Sequence, residues 1–273
     1  MRTNLTSQIS LNNVSPRYYK PENAVERSVI TRYEKINTNI YESMDEGTRL
    51  IADEIIAKIQ DRQREGKFCT IALGTGSSLR PLYYELIRRH KDEGVSFRNV
   101  ILFNVYEFYP INEGAGSTFA HLNKLFISEV DIDRQNVFTM EGSIPQDAII
   151  DHCKLYEQRI QTFGGLDLAI LGIGRKGIIG MNEPGSQPSS TTRLILLDHT
   201  SRSEAAHNLG VDNLPPCSIT MGLKTILGAR KVYLLAWGED KAEIIRKAVE
   251  EKVSDTLPAS FLQMHTNAVV CTD

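Results

Sequence analysis

Met44, Ile51, Ile55 and Ile59 recur at helical spacing, with acidic residues early in the segment 43–64 and Lys58, Arg62 and Arg64 late. That pattern predicts an amphipathic helix whose charges suit its dipole. Lys67 through Leu73 then reads as a buried strand, followed by the turn Gly74-Thr75-Gly76-Ser77-Ser78 and a helical run from Leu79 to His90. Short apolar runs at 99–104, 167–171 and 232–236 alternate with helical segments at 117–129, 146–162, 222–228 and 240–250. Strands alternating with helices predict an α/β fold, three-layer α/β/α with a mostly parallel, Rossmann-like sheet. Residues 1–39 lack this rhythm and read as an N-terminal arm or extension ahead of a main domain at 40–273. No internal repeat or low-complexity tract interrupts the pattern.

Composition narrows the partners. With 273 residues, 41% of them hydrophobic, the chain can bury a substantial core. A formal net charge of −3 offers no electrostatic attraction to nucleic acid or an anionic membrane, so a small-molecule partner is expected. Cys69, Cys153, Cys217 and Cys271 stand singly without a C-x-x-C pair, which predicts reduced core thiols and no zinc cage. No apolar run is long enough to span a bilayer and the polar start MRTNLTSQIS has no signal-peptide core, so a cytoplasmic protein is expected.

Candidate chemistry gathers at four places. Gly172, Gly174 and Gly177 have the G-x-G-x-x-G spacing and follow a predicted strand, as a dinucleotide-binding turn would. A helix opening there would have to run through Pro184 with Pro188 beyond, so the glycines instead predict an irregular loop at a strand's carboxyl end, where open α/β sheets bind ligands. The turn after the first main strand, with Thr75, Gly76, Ser77 and Ser78, suits a phosphate at a helix N-terminus; a plain N-cap by Ser77 or Ser78 fits equally well. It lacks the spacing and lysine of a nucleotide-binding P-loop. Tyr106 and Glu107 lie at a strand tip, where Glu107 either reacts or merely caps. Asn182 and Glu183 follow the glycine loop, and Glu183 is either a partly buried acid/base or a solvated carboxylate. Arg193 is either a phosphate fork or a surface residue.

Taken in order, G-T-G-S-S, F-N-x-x-E, L-G-I-G-x-x-G-x-x-G-x-N-E-P-G-S, T-R and S-I-T-M-G-L-K-T-I-L resemble the glucosamine-6-phosphate deaminase/isomerase family, whose wider group includes the 6-phosphogluconolactonases. The resemblance runs over about residues 40–271 and includes Phe261-Leu262-Gln263-Met264-His265. It implies conversion of glucosamine 6-phosphate and water to fructose 6-phosphate and ammonia, without metal or organic cofactor, and it permits a homo-oligomer. It also implies phosphate binding by Thr75, Gly76, Ser77, Ser78 and Arg193, and places on Glu183 the glutamate that supports a ring-opening histidine.

Several positions depart from that pattern. The family's aspartate base falls on Tyr106, with the adjacent acid kept as Glu107. Its ring-opening aspartate falls on Lys176, its histidine on Ile178, and a phosphate-binding lysine on Pro216. A phenol is a poor base near neutrality and isoleucine moves no proton. One expectation is therefore deaminase/isomerase chemistry with altered groups, in which Glu107 or Glu183 is the base and a desolvated Lys176 the acid. A second is a non-catalytic sugar-phosphate-binding or regulatory domain. A third is a 6-phosphogluconolactonase-like hydrolase, which would also miss the histidine, and a nicotinamide dehydrogenase comes last because of Pro184 and Pro188.

Overall fold

The computed structural model describes residues 23–112 and 114–273. The chain divides into two compact units, Met1–Glu34 and Lys35–Asp273. In the first, α1 (Ala24–Ile30) is capped by Asn23, whose Oδ1 accepts from the N–H groups of Val25 and Glu26 at 3.0 Å. The rest of the expected arm, residues 1–22, lies outside the described residues. Asn37–Ile40, just ahead of the boundary expected near Ile40, is strand β1 and pairs in parallel with the last strand of the second unit.

That unit is built on a seven-stranded, wholly parallel sheet covered by helices on both faces, a three-layer α/β/α fold. After β1 come α2 (Met44–Arg64), β2 (Cys69–Leu73), α3 (Arg80–Glu93), β3 (Val100–Asn104) and β4 (Tyr106–Tyr109). Then follow α4 (Thr118–Leu125), β5 (Val137–Phe138), α5 (Ile149–Thr162), β6 (Leu168–Gly172) and β7 (Arg193–Leu196). The chain closes with α6 (His199–Leu209), β8 (Cys217–Thr220), α7 (Leu223–Leu227), β9 (Lys231–Ala236), α8 (Ala242–Glu250) and β10 (Ala268–Thr272). Ser43 starts α2 by accepting from Glu46 N at 3.2 Å, where the hydrophobic period begins.

Alternation along the buried strands divides the core. Ile71, Leu73, Leu102, Ile170 and Leu235 pack with residues of α2, α3 and α4 on one face. Ala72, Phe103, Leu171, Leu234 and Val270 pack with α5, α7 and α8 on the other. The inner strands β2, β3, β6 and β9 therefore read as largely apolar runs, because both of their faces are buried.

The sheet order is β1-β10-β9-β6-β2-β3-β5. From β2 the chain moves outward through β3 to β5, then returns to place β6 on the other side of β2. The connections after β2 and β6 thus diverge at their carboxyl ends and open a crevice at this switch point. Beside it lies a second sheet, antiparallel β4-β8-β7, which the expectation of alternating strands and helices did not contain.

Candidate functional site

The crevice forms a cleft that is open to solvent. One wall is Gly74–Leu79 and another is Leu171–Gly174 with Ile178, Gly180 and Met181. Val105 and Tyr106 lie at the tip of β3, α6 contributes Ser201, Glu204, Ala205 and Asn208, and Lys241 enters from the turn after β9. Thr75, Gly76, Ser77 and Ser78 are therefore brought together with Gly172, Gly174 and Tyr106. The turn is held firmly: Trp237 Nε1 donates to Ser78 O at 2.9 Å, the Tyr83 hydroxyl donates to Gly74 O, and Thr75 Oγ1 lies 2.9 Å from the Tyr106 hydroxyl.

The glycine loop supports no helix. Gly174 N donates to Ile178 O and Gly177 N to Gly174 O, both at 2.9 Å, folding the loop back on itself. Gly177 has φ +71°, and a side chain there would run into Leu257 at 2.2 Å. Its glycine is thus required by a turn and a close approach rather than by a dinucleotide.

Tyr106 and Glu107 part company because β4 is a strand. Successive side chains point to opposite faces, so Tyr106 lines the cleft while the buried Glu107 faces away. Glu107 is committed to the start of α4: Oε1 accepts from Phe108 N (2.9 Å) and Thr118 N (2.8 Å), and Oε2 from Ser117 Oγ (2.8 Å) and Phe119 N (3.0 Å). It is a capping carboxylate with its acceptors occupied, which removes it as a candidate base. Burial pushes the Tyr106 phenol up to about 12, partly opposed by the Thr75 hydroxyl and reinforced by the charges of Glu107 and Glu204. Tyr106 is accordingly expected to stay protonated through pH 10. Difference ultraviolet titration against Tyr106→Phe checks this, and a phenolate step at or below pH 10 would contradict it.

The remaining expected residues lie outside the cleft lining. Lys176 is 41% exposed and pairs with Asp198 Oδ1 at 2.8 Å, so the desolvation required of an acid is absent. This lysine, followed by the Thr200 N–H, holds the Asp198 carboxyl down at about 2. Glu183 is buried; Oε1 accepts from Asp198 N at 3.0 Å, and Oε2 has no partner.

Asn182 donates to Ile179 O (2.9 Å) and Met221 O (2.8 Å) and accepts from Arg193 Nη1 at 2.9 Å. Arg193 also donates through Nη2 to Ser186 Oγ at 2.8 Å. Arg193, Thr220 and Tyr106 form one row across β7, β8 and β4, which sets Arg193 two strands from Tyr106, roughly 10 Å. The expected phosphate fork braces the 179–186 loop, and Arg193 is not among the residues that line the cleft with Ser77 and Ser78.

Four polar cleft residues were not anticipated from the sequence: Ser201, Glu204, Asn208 and Lys241. Lys241 follows a predicted strand, and its position at a strand's carboxyl end was the available signal. Helix α6 gave almost none, because its cleft-facing stripe carries Ser201, Glu204 and Asn208 where a core-facing stripe would be apolar.

The model of the glucosamine-6-phosphate isomerases/6-phosphogluconolactonase family matches residues 42–271. The whole chain is 58% identical over 275 residues to a glucosamine-6-phosphate deaminase-like protein of Bacteroides thetaiotaomicron, and spans 42% of that relative's length. It is 35% identical over 240 residues to the glucosamine-6-phosphate deaminase of Oceanobacillus iheyensis, covering 87% of this chain and 92% of the relative. A monomeric glucosamine-6-phosphate deaminase superimposes with a TM-score of 0.81 at 30% identity, over 87% of this chain and 97% of the other. The 6-phosphogluconolactonase of Thermotoga maritima, at 19% identity and a TM-score of 0.68 over 86% of this chain and 98% of the other, shares the fold. No helix among the described residues is long and apolar enough to cross a membrane.

Proposed function

Because the chain belongs to the family of glucosamine-6-phosphate isomerases and 6-phosphogluconolactonases, we propose that it binds an amino-sugar phosphate of the glucosamine 6-phosphate class in the cleft at the switch point. The observation that carries this reading is that the Gly74–Ser78 turn lines the cleft beside Gly172 and Gly174; a turn with backbone N–H groups and two serine hydroxyls suits a phosphate. Binding is favoured over turnover by the side chains themselves. Ile178 in the cleft wall transfers no proton, the Tyr106 phenol is held protonated, Glu107 is spent on α4, and Lys176 is paired outside.

A second reading keeps the deaminase conversion of glucosamine 6-phosphate and water to fructose 6-phosphate and ammonia. It is favoured by one observation: Glu204 is a carboxylate lining the cleft and is available as a base. Calorimetric titration with glucosamine 6-phosphate, run beside an ammonia-release assay, separates the two. The expected result is saturable binding without ammonia, weakened at least about tenfold for glucosamine lacking the phosphate. Ammonia release that disappears in Glu204→Gln would transfer the conclusion to deamination. Absence of binding would remove the sugar-phosphate reading altogether.

A further inference from the structure

We infer that Lys241 is the phosphate-binding cation of this cleft, held ready by Glu204 and displaced from it when a sugar phosphate enters. The inference rests on the sugar-phosphate reading above and adds to it the residue that meets the charge. A phosphate monoester carries nearly two negative charges near neutrality. Arg193, the expected fork, is turned to Asn182 and Ser186, and Pro216 offers no charge. Among the residues lining the cleft, the basic side chain is Lys241, itself only 12% exposed.

Its hydrogen-bonding is incomplete. An ammonium has three donors. Lys241 Nζ gives one to Ile173 O at 3.1 Å, while Glu204 Oε1 stands 3.6 Å away, close enough to neutralise but too far for a good hydrogen bond. The Ile173 carbonyl fixes the ammonium beside the Gly172–Ile173 wall. On the same wall, a carbon built on Gly172 would lie 3.9 Å from Ser78 Cβ, and Ser78 and Lys241 both line the cleft. A second observation points to an absent ligand. Ser201, more than nine-tenths buried, is one of the residues lining the cleft, and its Oγ has no hydrogen-bond partner. Ser201 and Glu204 are three residues apart on α6, hence neighbours on one helix face. An anion beside Lys241 would supply acceptors both to the ammonium and to this hydroxyl.

The roles of the pair make opposite predictions for its two members. Lys241→Gln is expected to weaken glucosamine 6-phosphate binding about tenfold to a hundredfold, with little effect on glucosamine, and Lys241→Arg should restore part of the loss. Glu204→Gln should tighten glucosamine 6-phosphate binding a few-fold, because the carboxylate both competes for Lys241 and repels the dianion. A merely structural ion pair would weaken binding in both variants alongside a loss of thermal stability. The measurement is calorimetric titration of the whole chain with both sugars, with a thermal melt of each variant. Equal affinity of wild type and Lys241→Gln, or weakened phosphate binding in a folded Glu204→Gln, would overturn the inference while leaving the cleft reading intact. Should Lys241→Gln fail to fold, Glu204→Gln still decides by the direction of its change. Wild type that binds neither sugar would overturn the cleft reading, and this inference with it.

Discussion

Glu107→Ala is expected to lower the unfolding free energy by about 3–5 kcal/mol, since it removes a buried charged acceptor from three backbone N–H groups and a hydroxyl. Thr118 and Phe119 form the first turn of α4, whose N–H groups have no partners within the helix, and both donate to this carboxylate. Without it those donors are left in an environment from which water is excluded, and the junction between β4 and α4 loses its fixed point. For a unit of this size the corresponding fall in melting temperature is on the order of 10 °C. Urea unfolding monitored by circular dichroism measures the loss, and titration below the transition measures what remains of ligand binding. If Glu107 instead acts on ligand, the variant would keep nearly its full stability and lose its chemistry, which the β4 alternation argues against.

Gly222→Ala is expected to cost about 3 kcal/mol or more, near the upper end of overpacking effects. A methyl group there would lie 2.0 Å from Ser190 O and 2.3 Å from Thr191 O, and neither is a flexible side-chain tip. The contact is close because Lys224 N donates to Ser190 O at 2.9 Å, drawing the start of α7 against the segment that leads into β7. Relief of the clash must move that segment, and with it Arg193, which braces the 179–186 loop through Asn182 and Ser186. A weaker ligand affinity should therefore accompany the lower stability. Gly76→Ala is the control: its added carbon meets only Leu79 Cδ1 at 3.7 Å, so its stability should stay within about 0.5 kcal/mol of wild type. Equal stabilities for the two variants would contradict the tight packing at Gly222.

The layers are written in the pattern of apolar positions along the chain. The period of α2 and the continuous apolar runs of β2, β3, β6 and β9 are consequences of burial, which selects for hydrophobicity at fixed spacing, so they are legible without coordinates. Pro184 likewise marked the absence of a helix after the glycine loop, because a proline removes a donor wherever the chain folds. That the Gly74–Ser78 turn stays together at one place was legible too, since its residues are neighbours along the chain.

Tertiary structure decided the direction and company of side chains that are distant in sequence. That Tyr106 faces the cleft and Glu107 does not follows from β4 pairing with β8, a contact more than a hundred residues away in the chain. That Arg193 reaches Asn182 and Ser186, and that Lys241 meets Glu204, depends on β7 and α6 lying where the switch point puts them. Polar residues turned inward toward a cleft carry no hydrophobic period, so α6 was invisible to a reading based on burial alone. The sheet is encoded in local pattern; the charges of the site are encoded in which distant segments the sheet brings together.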